Sequence, residues 1–193
     1  MARPRKFDRD RVVDAAMDAF WRHGYEATST RDLTERTGLG ASSLYHAFGD
    51  KRGLYLAALQ RYYDRSTAQQ LDLLRRPGPV RDRLRALMTS AIDADLPAGD
   101  TATGCFAINA AIDRGAADPE IDAQLRRHFD TVAEALRETV TRGQRAGELA
   151  ADRDADTLAR QIQSTYYGLR VLAPVQRDRD ALLGIVDSVL AGL

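Results

Sequence analysis

Apolar positions recur along this chain at helical spacing and nowhere alternate with polar ones over a long run. Val12, Val13, Ala16, Ala19 and Phe20 mark the buried stripe of a first helix at about 9–23, which Gly24 is placed to stop. Thr28, Ser29 and Thr30 offer an N-terminal cap for a short second helix, about 30–37, with Leu33 inward and Gly38 at its end. A third, about 41–47, turns Leu44 and Phe48 to its buried side. Gly49-Asp50 breaks the pattern, and Asp50 can cap a fourth helix that reaches about Leu74. At 1.5 Å per residue this fourth helix is roughly 36 Å long, more than a small head needs, so it is expected to join two domains.

Arg76-Pro77-Gly78-Pro79 sets a firm boundary, after which a fifth helix is expected at about 80–95. Leu96 to Asp100 reads as a loop, and a sixth helix follows at about 103–114. Asp118-Pro119-Glu120 is a strong helix start, with Pro at the first helical position, and the seventh helix extends to about 145. Gly147 to Asp154 connects it to an eighth at about 155–173, stopped by Pro174, and a ninth at about 179–191. The expected fold is all-α: a three-helix N-terminal head, residues 1–53, and a helical C-terminal body, residues 54–193.

Composition narrows the function classes. With 193 residues, 44% apolar and 29% charged, the chain can bury a core, so disorder is excluded as its main state. The single cysteine, Cys105, excludes an internal disulfide framework and fits a reducing compartment. No apolar run approaches the ~20 residues that cross a bilayer, and no apolar stretch follows the basic N-terminus. A cytoplasmic protein without a membrane partner is expected. Twenty-eight basic and 28 acidic residues balance, which argues weakly against a general polyanion binder. The balance is uneven, however: Arg3, Arg5, Lys6, Arg9 and Arg11 face only Asp8 and Asp10 in the first 11 residues. One end of the molecule can therefore meet a polyanion.

The second and third helices, joined by Gly38-Leu39-Gly40, have the layout of a helix-turn-helix, whose second helix can enter the major groove of DNA. Ala41, Ser42, Ser43, Tyr45 and His46 would face outward: small residues allow close approach, while Ser and Tyr can bond a base edge or a phosphate. Thr30 and Lys51 start the second and fourth helices, where free backbone N–H groups attract phosphate. On pattern alone, a bundle corner with a solvated polar side is also compatible.

The string Phe20, Gly24-Tyr25, Thr28-Ser29-Thr30, Arg31-Asp32-Leu33, Thr37-Gly38-Leu39, Ser43-Leu44-Tyr45, Phe48, Lys51 and Leu54 resembles the DNA-binding head of the TetR/AcrR family of bacterial repressors. The resemblance covers residues 20–54 and rests on order and spacing together. It implies core roles for Phe20, Leu33, Leu44 and Phe48, and phosphate contacts for Thr30, Tyr45 and Lys51. Gly40, Ala41, Ser42, Ser43 and His46 would lie against the groove. Ala47 departs from the His common at its position, so any contact from that His is absent. The implied partner is double-stranded DNA, bound as a homodimer at a palindromic operator. A helical adaptor that binds protein instead is the alternative.

In the body, Gly104-Cys105-Phe106-Ala107-Ile108-Asn109-Ala110-Ala111, followed by Asp118-Pro119-Glu120, resembles one branch of these regulators. The eighth helix carries Leu158, Ile162, Tyr166, Leu169 and Leu172, and the ninth carries Leu182, Leu183, Ile185, Val186, Val189 and Leu190. These broad apolar faces fit a four-helix dimer interface, or packing within one chain. For a small, mostly apolar effector the candidates are Met88, Ile92, Phe106, Asn109, Phe129, Tyr166, Tyr167 and Arg170, each of which also fits plain core packing. Arg170 would favour an anion if it points inward. Asn109, polar on an apolar helix, needs a hydrogen-bond partner. Cys105 reads as an inert thiol or an oxidant sensor. The histidines fit no metal spacing, and no phosphate loop, nucleophile elbow or zinc-protease motif is present, so neither an enzyme nor a cofactor is expected.

Overall fold

The computed structural model describes residues 7–96, 103–115 and 117–193, and among these every regular element is helical. The head comprises α1 (Arg9–Ala27), α2 (Thr30–Thr37) and α3 (Ala41–Phe48). The body follows with α4 (Lys51–Arg75), α5 (Val80–Asp95), α6 (Phe106–Ala110), α7 (Pro119–Arg145), α8 (Ala155–Gln176) and α9 (Arg179–Ala191).

Local chemistry sets most of these boundaries. The Asp8 carboxylate accepts from the backbone N–H groups of Asp10 and Arg11 and so opens α1. Gly24, at φ 76 and ψ 169, breaks its helical geometry where a stop was expected, but one further turn carries the element to Ala27. Ser29 and Asp32 form a reciprocal capping box on α2. Val80 N–H, at the start of α5, donates to Glu148 Oε2 at 2.5 Å, a partner 68 residues away.

Two expectations need correction. The sixth helix is only one turn of α-helix, continued by a π-helical turn, Ala111–Gly115. Such wide turns are rare and concentrate at functional places. Pro174 does not stop α8, which continues to Gln176. So near the end, the missing N–H removes a single helical hydrogen bond, and Arg177 closes the helix in the left-handed conformation at φ 55. Of the loop expected at Leu96 to Asp100, all but Leu96 lies outside the described residues, as do Arg3, Arg5 and Lys6.

Two apolar cores result, and α4 contributes to both. The first gathers Phe20, Leu33, Leu44, Leu54, Tyr55 and Leu59, together with Phe106, Ile121 and Leu125 from α6 and α7. The second gathers Leu73 and Leu74 with Leu84, Met88, Ile92, Leu136, Ile162, Leu169 and Val186. The small head is therefore sealed by the body: Trp21 donates to the Gly104 carbonyl at 2.8 Å, and its ring stacks on Phe106 at 6.1 Å.

Candidate nucleic-acid interface and effector site

The α2–α3 turn depends on Gly38, which ends α2 at φ 70 and ψ 13, a conformation that side chains with a Cβ rarely adopt. Leu44 and Phe48 sink into the first core, leaving Ala41, Ser42, Ser43 and His46 exposed and Tyr45 half-buried. The Tyr45 and Thr30 hydroxyls meet at 2.5 Å, tying the outward side of α3 to the start of α2. A second clamp holds α3 from behind. A Cβ at Gly53 would lie 2.0 Å from the Phe48 carbonyl oxygen, so only glycine permits this approach of α4 to the end of α3.

The caps distinguish α3 from its neighbours. Side chains of Asp8, Ser29 and Asp50 answer first-turn amides of α1, α2 and α4, but Gly40 offers α3 none. The amides of Ala41, Ser42 and Ser43 thus stand at the positive end of a helix with no side-chain acceptor, on an exposed surface. An external acceptor such as a phosphate or a base edge can take that place.

Two cations flank α3. Lys51 Nζ sits 4.5 Å from the Tyr25 ring centroid and donates to the Glu26 carbonyl at 3.4 Å. Arg9 donates to the Ala47 carbonyl at 3.1 Å with its guanidinium 4.3 Å from the Phe48 ring. In the sequence Arg9 stands out only as part of the basic N-terminus. Its place beside α3 comes from a contact across 38 residues, which no local pattern signals.

Behind this surface the head is pinned to the body. Arg52, at the start of α4, makes two hydrogen bonds to Asp118, at 2.6 and 2.7 Å, and pairs with Glu120 at 3.0 Å. The Arg52 bonds pull the Asp118 carboxyl down to about 2. Arg114, in the π-helical turn, bonds Glu26 at 2.7 Å and lies 4.7 Å from the same Tyr25 ring that Lys51 covers.

The eight effector candidates do not converge on one cavity. Met88 and Ile92 are fully buried in the second core beside Tyr166, whereas Phe106 belongs to the first, edge-on to Tyr55 and Tyr62. Phe106 and Asn109 line a cleft of about 340 Å³ with Trp21. Tyr166 and Arg170 line another of about 250 Å³, and Asn109 and Arg170 a third of about 240 Å³. Met88, Ile92, Phe129 and Tyr167 line none of these. Asn109 finds its partner locally, donating to the Thr103 carbonyl at 3.0 Å.

Arg170 does point inward, but its charge is already matched. It makes two bonds to Asp95, at 2.6 and 3.0 Å, and one to Tyr62 Oη at 3.2 Å. Burial is the largest influence and opposes its charge, but the Asp95 hydrogen bonds together with the surrounding Tyr62, Cys105 and Tyr166 outweigh it, so the guanidinium stays protonated. The anion preference expected of an inward Arg170 is therefore withdrawn. Cys105, also buried, sits 3.3 Å from Tyr62 Oη. His128 joins α4 to α8 through Thr67 Oγ1 at 2.8 Å and Tyr167 Oη at 3.1 Å, and burial pushes its imidazole down to about 4. The described residues hold no cluster of three or more His, Cys, Asp or Glu suited to a metal, and none of their helices is long and apolar enough to cross a membrane.

On α8 and α9 the apolar residues divide. Leu158, Ile162, Tyr166, Leu169, Leu182, Val186 and Leu190 pack inside the chain. What remains outward is Val171, Val175 and Ile185, 50%, 77% and 36% exposed, with open space beside Gly168 and Gly184. This smaller face is the one an interface would use.

Comparison with known proteins gives concordant matches. Residues 12–58 match the model of bacterial regulatory proteins, tetR family, and residues 80–188 that of the tetracyclin repressor-like C-terminal domain. The chain is 32% identical to the HTH-type transcriptional regulator YezE of Bacillus subtilis over 100% of both chains. It is 34% identical to the HTH-type transcriptional repressor ComR of Escherichia coli, over 97% of this chain and 90% of that one. Among solved structures, the TetR family regulator CifR, complexed with a 26-base-pair double-strand operator DNA, is 32% identical and covers 98% of each chain at a TM-score of 0.81.

Proposed function

The chain belongs to the TetR family of bacterial transcriptional regulators, and from that premise we propose that it represses transcription by binding a palindromic operator as a homodimer until a small effector releases it. It is a ligand-responsive DNA-binding regulator, and its work is binding rather than catalysis, done in the cytoplasm. Residues 1–53 form the reading head and residues 54–193 the regulatory and dimerising body, with α4 running between them. The observation that carries this reading is the uncapped, exposed N-terminus of α3. There Gly40, Ala41, Ser42, Ser43 and His46 approach the groove, while Thr30, Tyr45 and Lys51 meet the phosphates.

Two heads read one duplex when the chains pair through the outward face of α8 and α9, which favours half-sites about one helical turn, or a multiple, apart. The effector reading rests on the clefts that Phe106, Asn109, Tyr166 and Arg170 line, while Met88, Ile92, Phe129 and Tyr167 pack in or against the two cores. Asn109, Tyr166 or Tyr167 would meet the one hydrogen-bonding group of a mostly apolar molecule. Because Arg52 joins α4 to Asp118 and Arg114 joins the π-helical turn to Glu26, a shift of α6 or α7 reaches the head directly. A coupling of about 1–3 kcal/mol would lower operator affinity roughly 5- to 150-fold. The test is a genomic binding selection with purified protein, with and without hydrophobic metabolites. Enrichment of an inverted repeat that one metabolite class abolishes supports the reading. Recovery of fragments without a shared motif contradicts it.

A further inference from the structure

Three consecutive residues of the π-helical turn have different surroundings. Ile112 is 79% exposed, more than any other large apolar side chain among the described residues. Asp113 lies against the break in α1, where a Cβ at Gly24 would stand 3.6 Å from its Oδ2. Arg114 reaches the two residues after that break, bonding Glu26 at 2.7 Å and lying 4.7 Å from the Tyr25 ring. Lys51 rests on the same ring and on the Glu26 carbonyl. The turn is seated on α7, because a Cβ at Gly115 would stand only 3.3 Å from Leu125 Cδ1.

A lone exposed Ile needs no explanation, but this one is not alone. Ile112 shares the cleft of about 240 Å³ beside α8 with Ile108, Val171 and Pro174. Val171 also belongs to the outward stripe of α8, Gly168, Val171 and Val175, whose spacing of three and four residues puts them on one helix face. The apolar patch on the turn is thus continuous, through Val171, with the face by which the chains pair. A two-fold interface uses the same patch on both chains, so a residue at its border is covered twice per dimer. We propose that the second copy of the chain covers Ile112 with the outward face of its α8, which makes the π-helical turn a two-sided joint. One side belongs to the dimer interface, and the other holds the end of α1 on which Lys51 rests. Pairing then fixes where each head stands on its body, without any effector. The inference rests on the reading of the protein as a dimeric regulator.

The experiment uses full-length protein, sedimented over a dilution series, then operator isotherms at concentrations that keep each variant dimeric. Ile112→Ser raises the dimer dissociation constant at least about tenfold, because each of two symmetric copies loses a covered apolar side chain. Ile112→Leu restores pairing. Arg114→Gln leaves the dissociation constant unchanged, because Arg114 faces the chain's own head. Ile112→Ser and Arg114→Gln each lower the operator affinity of the dimer about fivefold, and the double variant loses no more than the larger single loss, since both cut one joint. Amide hydrogen exchange over residues 106–115 slows when dilute wild type is concentrated into dimers, a readout that needs no substitution. A wild type that stays monomeric overturns both the joint and the dimer reading beneath it. A wild-type dimer whose Ile112→Ser variant pairs equally well overturns the joint alone. So do losses of operator affinity that multiply in the double variant, an Ile112→Ser dimer that binds operator as wild type does, or exchange over residues 106–115 that ignores concentration.

Discussion

The head and the body handle polar groups in opposite ways. On α3, Ser42, Ser43 and His46 face solvent, and the first-turn amides lack a side-chain cap. In the body two sets of polar groups turn inward and pair with one another: Arg170 with Asp95 and Tyr62, and His128 with Thr67 and Tyr167. The first arrangement leaves bonding capacity for a partner at little cost to folding, because water serves it in the meantime. The second spends that capacity on holding α4, α5, α7 and α8 together, where low dielectric makes a broken pair expensive. Substitutions in the two regions should therefore separate: the body loses stability, the head loses DNA.

The sharpest separation is expected at Asp95→Ala, which leaves the Arg170 guanidinium buried without its carboxylate. Losing one partner of a buried pair typically destabilises by about 3–5 kcal/mol, readable by urea unfolding. The folded fraction should keep its operator preference. Next comes pH. The folded protein holds His128 near 4, below the ordinary value near 6.5 that it regains on unfolding. Above about pH 6.5 neither state binds the proton, and the residue adds no pH dependence. As pH falls from about 6.5 to about 4, the unfolded chain gains a proton that the folded one refuses, so stability drops by up to about 3 kcal/mol. Unfolding of wild type and His128→Gln across that window isolates this slope from the carboxylates. Equal slopes would break the comparison on the body side.

In the head, Lys51→Ala should weaken all DNA sequences about equally and lower the salt slope by roughly one unit. Its effect on thermal stability should stay within the ~0.5–1 kcal/mol of an exposed cation–π contact. A loss of stability as large as that of Asp95→Ala would erase the distinction between the regions. The smallest expected effect is at Ser42→Ala, which should relax preference at one base pair by under about 1 kcal/mol and leave the salt slope intact. Tyr45→Phe, which removes the hydroxyl that meets Thr30, should fall between these two. Binding isotherms over a salt series, on the operator and on single-base variants, order all three.

The same contrast explains what could be read from sequence. Capping residues, Gly38 and the inward Leu33, Leu44 and Phe48 lie within one or two helical turns of what they organise, so the head's helices were legible locally. Arg9 was not placed, because its partner Ala47 lies 38 residues away. In the body the helices were legible from periodicity, yet the pairings that give its polar residues meaning span 75 residues for Arg170 with Asp95 and 61 for Thr67 with His128. Periodicity marks a residue as inward without saying which neighbour it meets. That is why Met88 and Ile92 were grouped with Phe106, although the fold puts them in separate cores. The π-helical turn escaped as well: it carries Arg114, whose partner Glu26 lies 88 residues away.

The most direct test of the regulator reading is sedimentation of the purified protein with a duplex carrying the genomically selected inverted repeat, compared with the same duplex after one half-site is scrambled. Two chains, or a multiple of two, are expected on the intact site, with affinity falling at least about tenfold, or 1.4 kcal/mol, when one half is lost. One chain per duplex, bound equally well to both sequences, would contradict a dimer that reads DNA through paired α3 helices.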